Sequence, residues 1–382
     1  MLSGLSVALG VSEIQTFIVL SLIILAGSFF LSLVLTGLVR ILAMRSGFVS
    51  RPIKDRFSTR TVPLGGGISI FLTIAASILT AIVIVKFLAV PGRLDWLGES
   101  VTIHTPGFQS RTGQMLNILL VVFVLFLLGL WDDRKNLGPV FKLVVEFAAA
   151  FFVAIMADVR VEFFIENKIV TSLLSACWIV VIINSFNFLD NMDGASAGIA
   201  VISSCVLFVA AAINGQVFIG GLALVFIGAL LGFLVFNFPP AKIFMGDAGS
   251  LVIGFFVALL TLRTTYYNQA GSGSFYPVFL PLVAMAVPLY DFTSVFILRI
   301  IQGKSPFVGD TQHFSHRLKR RGLTETQTVL TLYLATLCTG LGAIFLYQVN
   351  LVGAILIFVQ TIMVLAIIAI LETTVKNDRA TD

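Results

Sequence analysis

The sequence predicts an all-α fold: a polytopic integral membrane helix bundle of about 11 transmembrane helices, with its N-terminus outside and its C-terminus cytoplasmic. Three observations predict it. Of 382 residues, 58% are hydrophobic and only 11% charged, more apolar side chain than a water-soluble globule hides. The apolar residues fall into stretches that can each cross the hydrocarbon core, which takes roughly 20 residues per helix. The basic residues are unevenly divided between alternate connections.

The spans are expected near 16–39, 64–88, 114–130, 140–157, 172–189, 195–213, 217–237, 248–264, 277–299, 326–346 and 351–371. Backbone groups in lipid must bond within their own segment, which makes each span a helix. The first has no Lys or Arg before Arg40, so it lacks the basic head of a cleaved signal peptide and reads as a helix with its N-terminus outside. Alternation then puts Arg40 to Arg60, Arg134, Lys135, Lys142, Lys242, Arg299, Lys304, Arg317 to Arg321, Lys376 and Arg379 inside, 18 of 24 basic residues. Lys86, Arg93, Arg111, Arg160, Lys168 and Arg263 remain outside, the bias that the positive-inside rule demands. The net charge of +5 is mostly this collar, which suits anionic lipid head groups or acidic substrates and gives no reason to expect nucleic acid.

Phenylalanine, at 35 residues, suits long lipid-facing surfaces. Cys177, Cys205 and Cys338 lie in separate spans without metal-ligand spacing and read as buried structural thiols. With no soluble insert, long linker or convincing repeat, residues 1–382 read as a single polytopic membrane domain.

Ionisable residues at membrane depth are costly and usually functional. They form islands here. The first, Asp132-Asp133-Arg134-Lys135 at the inner end of the third span, is followed by Lys142 and Glu146 on the fourth. Neighbouring carboxylates among cations suit a divalent ion or a phosphate; a solvated turn is the plain alternative. The second is Asn184, Asn187, Asp190 and Asp193, spaced so that a helix would carry them as one polar stripe. Asp193-Gly194 could also cap the sixth span.

In the third island, Asn237 to Ser250, Asp247 stands before the eighth span between glycines that let a ligand approach. It is placed as a hard-cation ligand, or as a helix cap. Phe244, three residues earlier, could stack on a base. The fourth, Ser305 to Arg321, holds His313, His316 and Arg317 in a basic loop that can bind a diphosphate by charge-assisted hydrogen bonds. Asp291, in the ninth span, is eight residues before Arg299, roughly 12 Å along a helix axis, and is expected to face the interior. A fifth segment, Arg51-Pro52 to Gly65-Gly66-Gly67, joins a basic loop to the second span. All five islands fall on the inside in the alternation, although the charge count used none of their motifs.

These islands, in this order from Gly47 to Arg321, resemble the polyprenyl-phosphate N-acetylhexosamine-1-phosphate transferases of bacterial cell-envelope synthesis, glycosyltransferase family 4. Four motifs carry the likeness: Asp132-Asp133 with Lys142; Asn187-x-x-Asp190-x-x-Asp193-Gly194; Phe244-Met-Gly-Asp247-Ala-Gly-Ser250; and Ser305-Pro-Phe leading to the histidines. The resemblance implies transfer of a sugar 1-phosphate, N-acetylglucosamine leading, from a UDP-sugar to undecaprenyl phosphate, with release of UMP. It implies Asp247 as the Mg2+ ligand, with Mn2+ an alternative, and Asp132, Asp133, Asp190 and Lys142 as catalytic. It further implies Asn187 and Asp193 near the nucleotide, Phe244 on uracil, and His313, His316 and Arg317 at the sugar-diphosphate end.

The implied setting is the bacterial inner membrane with the active site facing the cytoplasm; membrane lipid is a partner, and a homodimer is left open. Ser58-Thr59 stands where relatives carry His-Lys, and Ser315 where they often carry another His. The transferase that moves phospho-N-acetylmuramoyl-pentapeptide ranks second, because its triple-histidine loop is missing here. A secondary transporter is the rival from another class, but carriers place their sites at the midplane between repeats.

Overall fold

The structure, a computed structural model, describes residues 11–50, 61–94, 102–161, 165–266, 275–303 and 314–373. Each expected span is helical, although that near 277–299 is broken into two helices. They are α1 (Val11–Ser46), α2 (Gly66–Ile84, continued by a π-helical turn), α4 (Thr112–Lys135), α5 (Pro139–Met156), α6 (Lys168–Leu189), α7 (Ala195–Ile213) and α8 (Val217–Asn237). There follow α9 (Asp247–Arg263), α10 (Leu280–Ala284) with α11 (Ala286–Ile301), α13 (Glu325–Phe345) and α14 (Leu351–Thr373). Short helices α3 (Thr105–Ser110) and α12 (Phe314–Arg320) lie between spans. Among the described residues nine helices are long and apolar enough to cross a membrane, and ten if Tyr276–Ala284 and Ala286–Ile301 make one broken span bent by 61°. The 17-residue α9 falls just short of that length. Pro288, early in α11, accounts for the bend, since it has no N–H to offer the Ala284 carbonyl and its ring crowds that group.

One element is not helical. Val49–Ser50 (β1) and Val62–Pro63 (β2) pair antiparallel between α1 and α2, with Val49 opposite Pro63. The chain is a multi-pass membrane protein, and its outer surface is apolar as lipid requires: Leu22, Phe30, Leu356, Ile362 and Ile370 are all exposed. Phenylalanine serves both environments, since Phe186, Phe226, Phe233, Phe255 and Phe256 are fully buried. The expectation of buried thiols is corrected: Cys177 and Cys205 are exposed on the bundle surface and Cys338 is half-buried. In hydrocarbon a small apolar side chain gains nothing by leaving the outer face, so span membership does not imply burial in protein.

The core is organised around α9. Every residue from Ala248 to Thr261 is buried, and α2, α4, α6 and α7 all pack against this helix, which is apolar on every side. Glycines let the neighbours close on its N-terminal turn. A Cβ on Gly129 of α4 would strike the Ala248 backbone, and one on Gly67 of α2 would strike Gly249. Two backbone-to-backbone crossings therefore fix where the start of α9 meets the start of α2 and the end of α4.

Candidate active site

Gly129 and Asp132-Asp133 are three and four residues apart on α4 and so share a helix face. The close crossing at Gly129 carries that face onto the first turn of α9. There Asp133 accepts the Asp247 N–H at Oδ1 (2.8 Å) and the Ala248 N–H at Oδ2 (3.2 Å). Asp133 thus caps α9 from another helix, its charge against the positive end of the helix dipole. Gly246 makes room for it, because the backbone there has φ 74° and a Cβ would collide with the Asp133 carboxylate. Asp247 is the first residue of α9 and not its cap, so its side chain is left for other work.

Lys142 enters from α5. Its Nζ donates to Asp132 Oδ2 at 2.7 Å and to Asp247 Oδ2 at 2.8 Å, holding two carboxylates from two helices together by neutralising their repulsion. The other Asp132 oxygen accepts the Leu137 N–H at 2.5 Å, which ties the α4–α5 turn to the same carboxylate. From α6, Asn187 Nδ2 donates to Ser250 Oγ at 2.8 Å, on the α9 turn after Asp247.

The single polar stripe expected along 184–193 is corrected. The helix ends at Leu189, with Asp190 closing it through a 3.3 Å hydrogen bond from its N–H to the Asn187 carbonyl. The stripe's members therefore diverge. Asn184 reaches Glu146 Oε2 on α5 at 2.6 Å, and Asp193 accepts the Ala241 N–H at 2.8 Å. Gly194, in the left-handed region at φ 72°, holds the N-cap position of α7, so Asp193 does not cap that helix. Burial pushes the Asp193 carboxyl above its ordinary range, opposed by the Ala241 N–H.

The loop before α9 is stitched to its surroundings by main chain. Phe244 N–H donates to Pro63 at 2.8 Å, while Gly66 and Gly67 donate to the Phe244 and Met245 carbonyls, both at 2.9 Å. Asn237 bridges the same loop to the α6–α7 turn, accepting from Gly194 N–H and donating to the Ile243 carbonyl, both at 3.0 Å. The Phe244 ring is half-buried. Four of the five islands thus meet at one end of the bundle.

The fourth island touches this end through Ser315 of α12, whose Oγ donates to Asn191 Oδ1 at 2.5 Å. Arg317 is not brought to the carboxylates; its guanidinium is paired with Glu372 of α14 at 3.0 Å. His313, Ser58-Thr59 and Ser305-Pro306 lie outside the described residues, and of His316 only its place on α12 is described. Asp291 is fully buried, as expected.

Sequence reasoning gave no role to Glu146, buried beneath Lys142 and bonded to Asn184, although a carboxylate one helical turn after Lys142 in an apolar span was a usable signal. Among the described residues no group of three or more His, Cys, Asp or Glu side chains surrounds a common metal position. Mg2+ needs no such cage: it is commonly held by one or two carboxylates plus substrate phosphates and water. Asp247 and Asp132, hard oxygen donors drawn together at Lys142, fit that description, whereas Asp133 is engaged by α9.

Residues 115–265, which hold the first three islands, match the family model described as glycosyl transferase family 4. The chain is 29% identical over 345 residues to a probable undecaprenyl-phosphate N-acetylglucosaminyl 1-phosphate transferase of Bacillus subtilis, covering 88% of each chain. It is 30% identical over 323 residues to a decaprenyl-phosphate N-acetylglucosaminephosphotransferase of Mycolicibacterium smegmatis, covering 78% of this chain and 75% of that one. An undecaprenyl-phosphate alpha-N-acetylglucosaminyl 1-phosphate transferase of Thermotoga maritima is 26% identical over 302 residues, covering 79% and 83%. With its motifs assembled at one end of the bundle and its length shared with these relatives, the chain belongs to glycosyl transferase family 4.

Proposed function

We propose that this protein transfers N-acetylglucosamine 1-phosphate from its UDP derivative to undecaprenyl phosphate at the cytoplasmic face of a bacterial inner membrane, releasing UMP. The observation that carries this reading is the Asp132–Lys142–Asp247 cluster, built from three helices at one end of an apolar bundle. The relatives, named for polyprenyl phosphates and N-acetylglucosamine phosphate, supply the substrate class. In the reaction an oxygen of the lipid phosphate attacks the sugar-bearing phosphorus, and the bond from that phosphorus to the bridging oxygen breaks. UMP leaves with the electron pair.

The acceptor phosphate has a second pKa of about 6, so it is mostly dianionic near neutrality and needs no strong base. Catalysis is then positioning and charge. Lys142 offers a cation to the phosphate oxygens, and Asp132 and Asp247 hold that ammonium in place. Asp247 with Asp132 would hold Mg2+ or Mn2+, which supplies neutralisation of charge building on the leaving diphosphate oxygen. Asp133 keeps Asp247 in register by fixing the helix that carries it. To the nucleotide we assign Asn187, Asp190 and Asp193, to its base Phe244, and to the sugar-diphosphate His313 and His316.

The test is a UMP-release assay on detergent-solubilised protein with undecaprenyl phosphate and a panel of UDP-sugars. UDP-N-acetylglucosamine is expected to support release, and Asp247→Asn to lower it by about a thousandfold or more while the protein stays folded. No release with any UDP-sugar, or wild-type rates in the mutant, would refute the assignment.

A further inference from the structure

Arg317 on α12 is held away from the carboxylate cluster by a knot of its own. Its Nη2 lies 3.0 Å from Glu372 Oε2 and donates to Ser294 Oγ of α11 at 3.1 Å. Glu372, in the last turn of α14 and nearly buried, also accepts from Tyr290 Oη of α11 at 2.6 Å, and its main-chain carbonyl accepts from Arg321 at 2.8 Å. These contacts fasten one side of α12 to two membrane helices. On the other side Ser315 donates to Asn191, which stands between Asp190 and Asp193 in the turn joining α6 to α7, and Lys319 pairs with Glu325 at the start of α13.

A seven-residue helix is too short to be stable alone, so its placement is set by these anchors. Glu372 makes two of them, to Arg317 and Arg321, and is itself held by Tyr290. It lies on the last span, outside every motif that marks the reaction. A nearly buried carboxylate at a helix end is costly unless paired, and removing its charge strands the Arg317 guanidinium.

We infer that Glu372 is a positioning residue for the nucleotide-sugar. Its pairing with Arg317 sets α12, and through Ser315 and Asn191 it sets the turn that presents Asp190 and Asp193. The inference rests on the proposed transfer reaction, in which that turn serves the donor substrate. Loosening α12 therefore weakens donor use and leaves use of the lipid acceptor unaffected.

Glu372→Gln keeps the volume and an acceptor for Tyr290 but removes the ion pair. Its KM for UDP-N-acetylglucosamine should rise about tenfold. Its kcat, and its KM for undecaprenyl phosphate, should stay within about twofold of wild type. The reciprocal exchange, Arg317→Glu with Glu372→Arg, should bring the donor KM back. An unchanged donor KM, equal rises in both KM values, or an exchange that recovers the melting temperature but not the donor KM would overturn the inference. If Glu372→Gln does not fold, Tyr290→Phe removes one donor to the same carboxylate and should raise the donor KM alone, by less; no rise would overturn it. Wild-type protein that releases no UMP in the same assay would overturn the transfer reading and this inference with it, whereas active wild type beside an unaltered mutant would overturn only the inference.

Discussion

Asp133 and Asp247 touch each other, yet their substitutions should fail in different ways. Asp133 spends both oxygens on the first two N–H groups of α9. Asp133→Asn keeps one acceptor and loses the charge facing the helix dipole, so it should lower stability by about 1 kcal/mol. Asp247→Asn leaves the cap intact and takes a carboxylate from the mutual repulsion that Lys142 relieves, so its melting temperature should hold while transfer is lost. Thermal melts of the two purified variants in one detergent check this. A stable Asp133→Asn protein would mean that the cap contributes nothing. Adjacent acidic residues in the sequence carried the idea of a charged site, but their division of labour was hidden because it depends on which of them meets a backbone 114 residues away.

At the level of helices, the crossing of α4 and α9 depends on a missing side chain. A Cβ on Gly129 would collide with main-chain atoms of Ala248, which cannot rotate out of the way as a side chain would. Gly129→Ala should therefore push α4 from α9, cost about 1–3 kcal/mol and separate Asp132 from Asp247, abolishing transfer. Gly113, on the same helix with nothing near its Cβ position, is the control, and Gly113→Ala should be neutral or slightly stabilising. Activity and melting temperature of the pair distinguish a packing effect from helix propensity; equal behaviour would refute the role given to Gly129. Apolar length made the long helices legible in the sequence. The break after Leu189 was not, because Asn184, Asn187, Asp190 and Asp193 keep helical spacing while their partners, Glu146, Ser250 and Ala241, sit on three other segments. The small β1–β2 pair left no signal, since two-residue strands are held by register with neighbours and not by alternation of their own.

For the whole molecule, alternation along the chain and convergence in space are separate constraints that must agree. The ends of α4 and α6 and the starts of α2, α5 and α9 meet at the carboxylate cluster, and Asn237 ties the start of α7 to the loop before α9, so every connection reaching this end lies on one side of the bilayer. The structure fixes which residues share a side, and the distribution of Lys and Arg proposes that this side is the cytoplasm. Lys135, exposed at the cluster end of α4, and Lys168, exposed at the opposite end of α6, separate the two statements. After Cys177, Cys205 and Cys338 are replaced, single cysteines at these positions should react with a membrane-impermeant maleimide from opposite sides: Lys168→Cys in intact cells, Lys135→Cys only once the membrane is opened. Reversed labelling would invert the orientation and deny a cytoplasmic nucleotide-sugar access to the site, while leaving the bundle intact. Labelling of both from one side would contradict the bundle itself, because α6 could not then return Asn187 to the turn of α9 that carries Asp247.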